Sequence, residues 1–190
     1  MGNNALSTLE VRVTNDLHAL RHPEPEWMPE RHGPEGAPLL DVLVVGAGQS
    51  GLAICARLLR ERVDNIVAID AAEEGKEGVW NSFARMPILR SPPHMGTLDL
   101  GTPSLTYQAW HEATYGEESF AALELIPIDA WCDYLVWYRK VLSLPVRNGV
   151  TLTRIVPADG CLAAHVSHAH GDEILYARKI ALCTGHDGTG

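Results

Sequence analysis

The stretch Asp41-Val42-Leu43-Val44-Val45-Gly46-Ala47-Gly48-Gln49-Ser50-Gly51, continued by Leu52-Ala53-Ile54-Cys55-Ala56-Arg57-Leu58-Leu59-Arg60, constrains this chain more than any other. Its β-branched apolar run reads as a buried parallel strand, and the helix formers after Gly51 read as a crossover helix. Between them stands G-x-G-x-x-G. In such a turn Gly46 allows a sharp reversal and Gly48 lets the backbone approach a pyrophosphate. Gly51 lets helix and strand pack closely, and the helix start turns free N–H groups toward an anion. A glycine motif alone is weak, so its context matters. Asn65-Ile66-Val67-Ala68-Ile69-Asp70 supplies a second strand, ending in an acid about twenty residues past the glycines, where a carboxylate can accept ribose hydroxyls. The acid would repel a 2′-phosphate, so this fold suits FAD or NAD better than NADP.

With 190 residues there is room for one substantial core and an appended arm. A formal charge of −9 without a basic cluster speaks against nucleic-acid binding. No apolar run has membrane-spanning length and the start lacks a secretory pattern, so a cytoplasmic location without membrane attachment is expected. The four cysteines, Cys55, Cys132, Cys161 and Cys183, share no CxxC spacing and read as small buried hydrophobes.

The expected organisation is an arm over 1–38 followed by an incomplete dinucleotide-binding domain over 39–190, with a helical insertion at about 81–145. In the arm, Leu6, Leu9, Val13, Leu17 and Leu20 recur at helical spacing, a stripe that covers the core or meets another subunit. Pro23, Pro25, Pro29, Pro34 and Pro38 then make an extended linker, which Trp27 and Met28 would hold against the body. After Asp70 a polar, glycine-bearing loop ends in Trp80, which either fills core or contacts ligand. A short helix is expected around Leu105 to Glu112. Another begins near Asp129, its Trp131, Leu135, Tyr138 and Leu142 forming a core-packing stripe and Asp129 capping the first turn. Asn148-Gly149 turns the chain into a strand at 150–156. Residues 161–166 and 174–177 read as hairpin arms, and 179–183 as the last strand, followed by Thr184-Gly185. His165, His168 and His170 lie beside a turn without a completing acid or thiol, so no metal site is assigned.

On Gly46-Ala47-Gly48-Gln49-Ser50-Gly51, Asp70, Glu77-Gly78-Val79-Trp80, Ile126-Pro127 through Tyr138 and Leu182-Cys183-Thr184-Gly185, residues 40–190 resemble the N-terminal FAD-binding portion of flavin-dependent monooxygenases. The nearest likeness is to the lysine and ornithine N-hydroxylases, with Baeyer–Villiger and flavin-containing monooxygenases as cousins. The resemblance implies an α/β, Rossmann-like fold, partial, with a parallel sheet, a crossover helix and a small hairpin or meander. It implies that Gly46, Gly48 and Gly51 hold the FAD pyrophosphate, with Gln49 and Ser50 offering N–H groups, and that Asp70 takes the adenosine ribose. Trp80 would lie near the flavin, Thr184 and Gly185 would border the cofactor, and Ile155 or Val156 would contact adenine through the backbone. Family activity uses NADPH to reduce FAD and transfers oxygen to a small-molecule substrate through a flavin C4a-peroxide.

Two residues depart from the family pattern: Glu77 replaces the first of two glycines, and Cys183 replaces an alanine. The NADPH-binding fold that follows in the family has no counterpart before Gly190, where His186-Asp187-Gly188-Thr189-Gly190 has the wrong glycine order. The expectation is a truncated flavoprotein, active only if a partner chain supplies the missing part. No catalytic acid or base stands out in this half. An FAD- or NAD-linked reductase and an inactive dinucleotide-binding remnant remain as alternatives.

Overall fold

A computed structural model describes residues 2–20, 27–82, 84–95 and 98–185, with Gly2 and Asn3 described by their backbone alone. The linker residues Pro23 and Pro25 and the terminal segment 186–190 lie outside the described residues. In chain order the elements are α1 (Gly2–Ala19), β1 (Leu39–Val45), α2 (Gln49–Arg60), β2 (Ile66–Asp70), α3 (Tyr107–Tyr115), α4 (Glu117–Ala121), α5 (Ile128–Val141), β3 (Val146–Asn148), β4 (Val150–Ala158), β5 (Cys161–His168) and β6 (Gly171–Leu182). They divide into two units, one within Met1–Arg21 and Phe83–Ser143, the other within His22–Ser82 and Leu144–Gly190.

The second unit is built on a six-stranded sheet in the order β3-β2-β1-β6-β5-β4. Strands β3, β2, β1 and β6 run parallel, while β4, β5 and β6 form an antiparallel meander. This is the mixed α/β, Rossmann-like architecture that the sequence pattern predicts. Alternation along β1 decides what covers each face. Leu43 and Val45, with Ile69 of β2, are buried under Val150, Ala164, Val166 and Ala177 of the meander. Val44 points the other way, toward α2, which buries Gly51, Leu52, Cys55 and Ala56.

Two strand assignments need correction. The segments 174–177 and 179–183, expected as separate strands, form the single strand β6, whose first half pairs with β5 and whose second half pairs with β1. Arg178, which reads as a polar interruption, is accommodated because its Nη1 donates to Asp41 Oδ1 of β1 at 2.7 Å. The three-residue β3 is too short to show a period, and parallel pairing with β2 at Ala68–Val146 through Asp70–Asn148 defines it. The linker is also more than an extended tether. His32 and Pro38 form an antiparallel bridge around a 3₁₀ turn at Pro34–Gly36, and the Trp27 indole donates to the Glu61 carbonyl at 2.7 Å.

In the first unit, α3 starts at Thr106, whose hydroxyl accepts the Ala109 N–H at 3.1 Å. Helix α5 is capped by Pro127 without a side-chain bond, so Asp129 sits inside the first turn and favours the positive helix end instead of capping it. Of the expected α5 stripe, Trp131, Leu135 and Tyr138 are core, while Leu142, the C-cap, is half-buried; Tyr134 is buried too, with rings of Tyr107 and Trp110 packed on it at 5.5 and 5.8 Å. The Tyr134 and Tyr138 hydroxyls donate to the Leu105 and Leu98 carbonyls, each at 2.7 Å. Helix α1 turns buried Leu9 and Val13 inward and packs on α3, so the middle of its stripe is used within the unit, while Leu6 and Leu17 are half-buried and Leu20 is exposed past the helix end.

His111 is buried among Tyr107, Tyr115 and Phe120, and burial lowers its pKa below the usual 6.5. The unfolded chain therefore binds this proton more readily than the folded one. Stability from the neutral ring is full above about pH 6.5 and falls as pH drops below it. Urea unfolding at pH 7.5 and 5.5 should show the loss, and His111→Phe should reduce the difference. Asp41, 7% exposed, sits against Arg178 in the sheet, so Asp41→Ala should destabilise the protein by about 2 kcal/mol in the same assay.

Candidate dinucleotide-binding site

From β1 the chain leaves toward β2 on one side, and β6 returns on the other, so strand order reverses between β1 and β6. In open α/β sheets the crevice outside the carboxyl ends at such a reversal is where ligands bind. Here it is lined by the glycine turn. Gly46 has φ +99°, and a Cβ there would lie 2.4 Å from the Cys183 carbonyl oxygen. A Cβ on Gly51 would lie 1.8 Å from the Gly46 carbonyl oxygen, so backbone touches backbone where α2 meets β1. The Gly46 N–H donates to Ile69 O at 2.8 Å and the Cys183 N–H to Val45 O at 2.7 Å. Three strand ends are thereby locked together around the start of α2.

Gly48 is the N-cap of α2 and contributes no side chain to its first turn, where Gln49 and Ser50 follow. The first N–H groups of a helix have no acceptor within it, and the helix dipole adds positive potential there. Gly48 differs from expectation in one respect. What its missing Cβ faces is another backbone: a Cβ would lie 3.0 Å from the Cα of Gly78, and one on Gly78 would lie 3.1 Å from the Cα of Gly48. Gly78, with φ +79°, leads into the 3₁₀ turn Val79–Asn81 that carries half-buried Trp80. Val79 in turn lies 3.7 Å from the Cβ position of Gly185, beside exposed Thr184. The glycine turn, the Trp80 turn and the end of β6 thus meet.

Asp70 stands at the carboxyl end of β2. Its Oδ2 accepts the Ala47 N–H at 2.7 Å and its Oδ1 accepts the Ala72 N–H at 2.8 Å. A carboxylate has about four acceptor sites, so two such bonds leave capacity for ribose hydroxyls. Its demonstrated work is to fasten the glycine turn to β2. Ile155 and Val156 stand apart from this group, on β4 opposite Ala164 and Ala163. Because β4 ends the strand order, residues alternating along it present backbone groups toward an open side.

The sequence singles out Glu77 only as a departure from a glycine pair and does not link it to Asn148. Asn148 Nδ2 donates to Glu77 Oε1 at 2.6 Å and to Ala72 O at 3.0 Å. The side chain that interrupts the expected glycine pair is therefore a tether. Two of the thiols are poor nucleophiles: burial pushes Cys55 up to about 12, with Cys183 adding to the effect, and burial raises Cys183 as well. Among the described residues no three His, Cys, Asp or Glu side chains are grouped to hold a metal. His168 lies 3.7 Å from Glu173, and His165 is 3.3 Å from Arg154. No described helix is long and apolar enough to cross a membrane.

Residues 43–187 match the FAD-NAD(P)-binding family model. The chain belongs to the FAD-NAD(P)-binding family. Over 186 residues it is 45% identical to the FAD-dependent urate hydroxylase of Xanthomonas campestris pv. campestris, covering 98% of this chain and 39% of that protein. The chain therefore spans 39% of that relative's length. The fold is similar to that of the Kutzneria sp. 744 ornithine N-hydroxylase, with a TM-score of 0.67, 17% identity and coverage of 76% and 37% of the two chains. A flavin-containing monooxygenase from Stenotrophomonas maltophilia shares it at TM-score 0.57 and 24% identity over 76% of this chain and 38% of that one. So does the bacillithiol disulfide reductase of Bacillus cereus, at TM-score 0.57 and 14% identity over 76% and 39%. These likenesses establish an FAD-NAD(P)-binding fold of the kind flavin monooxygenases use.

The two closest glycine approaches, at Gly46 and Gly51, leave no space for any side chain, so both glycines are required by the turn itself. Gly51→Ala should cost more than about 3 kcal/mol in chemical unfolding, since only backbone can move to relieve the overlap. Cys183→Ala should change stability by less than about 1.5 kcal/mol, because the bonds at that position come from its main chain.

Proposed function

We propose that this chain is the FAD-binding portion of an NAD(P)H-dependent flavoprotein monooxygenase that hydroxylates a small molecule. The observation that carries the proposal is the 45% identity, over nearly the whole chain, to an FAD-dependent urate hydroxylase. Urate, a planar nitrogen heterocycle, is accordingly the first substrate to examine. The glycine turn supports the reading, since the α2 start and the strand ends around it suit a pyrophosphate.

FAD, when bound, supplies the redox chemistry: it takes a hydride from reduced nicotinamide and makes dioxygen reactive toward substrate. The chain's own residues bind and orient it. Backbone N–H groups at Gly48, Gln49, Ser50 and Gly51 would hold the phosphates, and Gly46 would allow the turn that places them by letting the Cys183 carbonyl approach. Asp70 would accept adenosine ribose hydroxyls with its remaining lone pairs. Trp80, Thr184 and Gly185 would border the flavin side, and Ile155 and Val156 would offer backbone groups to adenine. The NADPH-binding part and the substrate contacts would come from further residues or a partner chain. A reducing cytoplasm suits four cysteines that are free in the structure.

The FAD- or NAD-linked reductase alternative shares the fold; against its disulfide-reducing form, the described cysteines are not paired for thiol exchange and the raised Cys55 and Cys183 pKa values suppress thiolate. Titration of the purified chain with FAD should give saturable quenching of flavin fluorescence and a perturbed flavin absorption band. Supplied with the remaining part of the enzyme, it should consume oxygen with NAD(P)H in a urate-dependent manner. Well-folded protein that takes up no FAD would overturn the proposal.

A further inference from the structure

The loop between β2 and Trp80 is polar and contains Gly75 and Gly78, a composition that does not fix one conformation by itself. Three of its bonds run to Asn148 and Gly149, at the end of β3 and just past it. The Ala72 carbonyl accepts from Asn148 Nδ2 at 3.0 Å and from the Gly149 N–H at 3.2 Å, and Asn148 Nδ2 also reaches Glu77 Oε1 at 2.6 Å. The amide orientation of Asn148 follows from its surroundings, because both groups it meets are acceptors and only its NH₂ can satisfy them. Asn148 is itself fixed by strand pairing, opposite Asp70 in the parallel register of β2 and β3. One residue past Glu77, the Cα of Gly78 backs onto Gly48, and the Trp80 turn begins.

We infer that the Asn148–Glu77 bridge is a positioning latch: it sets the Gly78–Trp80 segment at a fixed separation from the glycine turn and so prepares that side of the site for FAD. The inference rests on the FAD reading above and gives a role to Glu77, where the chain departs from the family's glycine pair, and to Asn148, which lies outside the cofactor motifs. Neither Asn148 nor Glu77 is a catalytic residue. Their effect is preorganisation, which raises affinity by removing the ordering cost of the loop at the moment of binding. A short bond to a carboxylate is the strong kind, and it joins residues far apart in sequence, so the loop is held to the sheet and not merely to itself.

Two conservative substitutions separate this role from general packing. Glu77→Gln keeps an acceptor oxygen at the same place. Asn148→Asp keeps the shape of the side chain, removes the donor and sets a second carboxylate against Glu77. The measurements are FAD titration of the 190-residue chain, visible circular dichroism of the bound flavin, and hydrogen exchange over residues 71–82. Asn148→Asp should weaken FAD binding about tenfold or more, alter the flavin dichroism and speed exchange in the loop. Glu77→Gln should stay within about twofold of the parent. Glu77→Ala, on the half-buried loop residue, should reproduce the Asn148→Asp effects and serves as the second variant if the latter does not fold. Parental FAD affinity and loop exchange in Asn148→Asp or Glu77→Ala would overturn the latch, as would an equal loss in Glu77→Gln. If the parent takes up no FAD, the functional reading fails separately and exchange decides the latch: loop protection lost in Asn148→Asp supports it, and unchanged exchange refutes it.

Discussion

The contact on which the nucleotide-binding half depends is main chain against main chain, where the Gly51 Cα rests on the Gly46 carbonyl. It brings the start of α2 directly over the carboxyl end of β1, where the partial positive charge of the helix is of use to an anion. A side chain at Gly51 would push the helix off the strand, and one at Gly46 would meet the Cys183 carbonyl at the end of β6. The rest of the site follows from that approach: Cys183 must present a carbonyl at Gly46, which fixes where β6 ends, and Ala47 must turn its N–H to Asp70, which fixes where β2 ends.

The two faces of the parallel sheet are closed by different means. Helix α2 covers one with small residues, Gly51, Cys55 and Ala56, which permit a close crossing, while the meander covers the other with Val150, Ala164 and Val166. Burial on both faces explains why β1 reads as a nearly continuous apolar run. The single carboxylate inside that run, Asp41, is matched by Arg178, so a charge that would be costly alone becomes a cross-strand pair.

What could be read from the chain was whatever depends on neighbours in sequence. The glycine spacing, the acid at the end of β2, the α5 stripe and the hairpin arms are local patterns, and the structure contains each of them. Most of the missed features depend on distant partners. Arg178 interrupts the apolar pattern of β6 only until Asp41 is placed beside it. Strand β3 has three residues, too few for a period, and exists through pairing with β2. Glu77 looked like damage to a glycine pair because its partner, Asn148, lies on β3 far along the chain. Pro127 took the cap position expected of Asp129, since a proline pre-set for extended backbone can precede a helix without offering a side-chain acceptor.

Strand β6 has one further consequence. Its twelve residues serve two ladders, antiparallel to β5 at one end and parallel to β1 at the other, with Tyr176 and Ala177 belonging to both. An inserted or deleted residue inside it cannot be absorbed by slippage: sliding to rescue one ladder turns inward-facing groups of the other outward, and unseats Arg178 from its anion. Length is thus invariant there for mechanical reasons, whereas the Ala169–His170 turn just before it, exposed at the tip of the hairpin, is where extra residues can be accommodated.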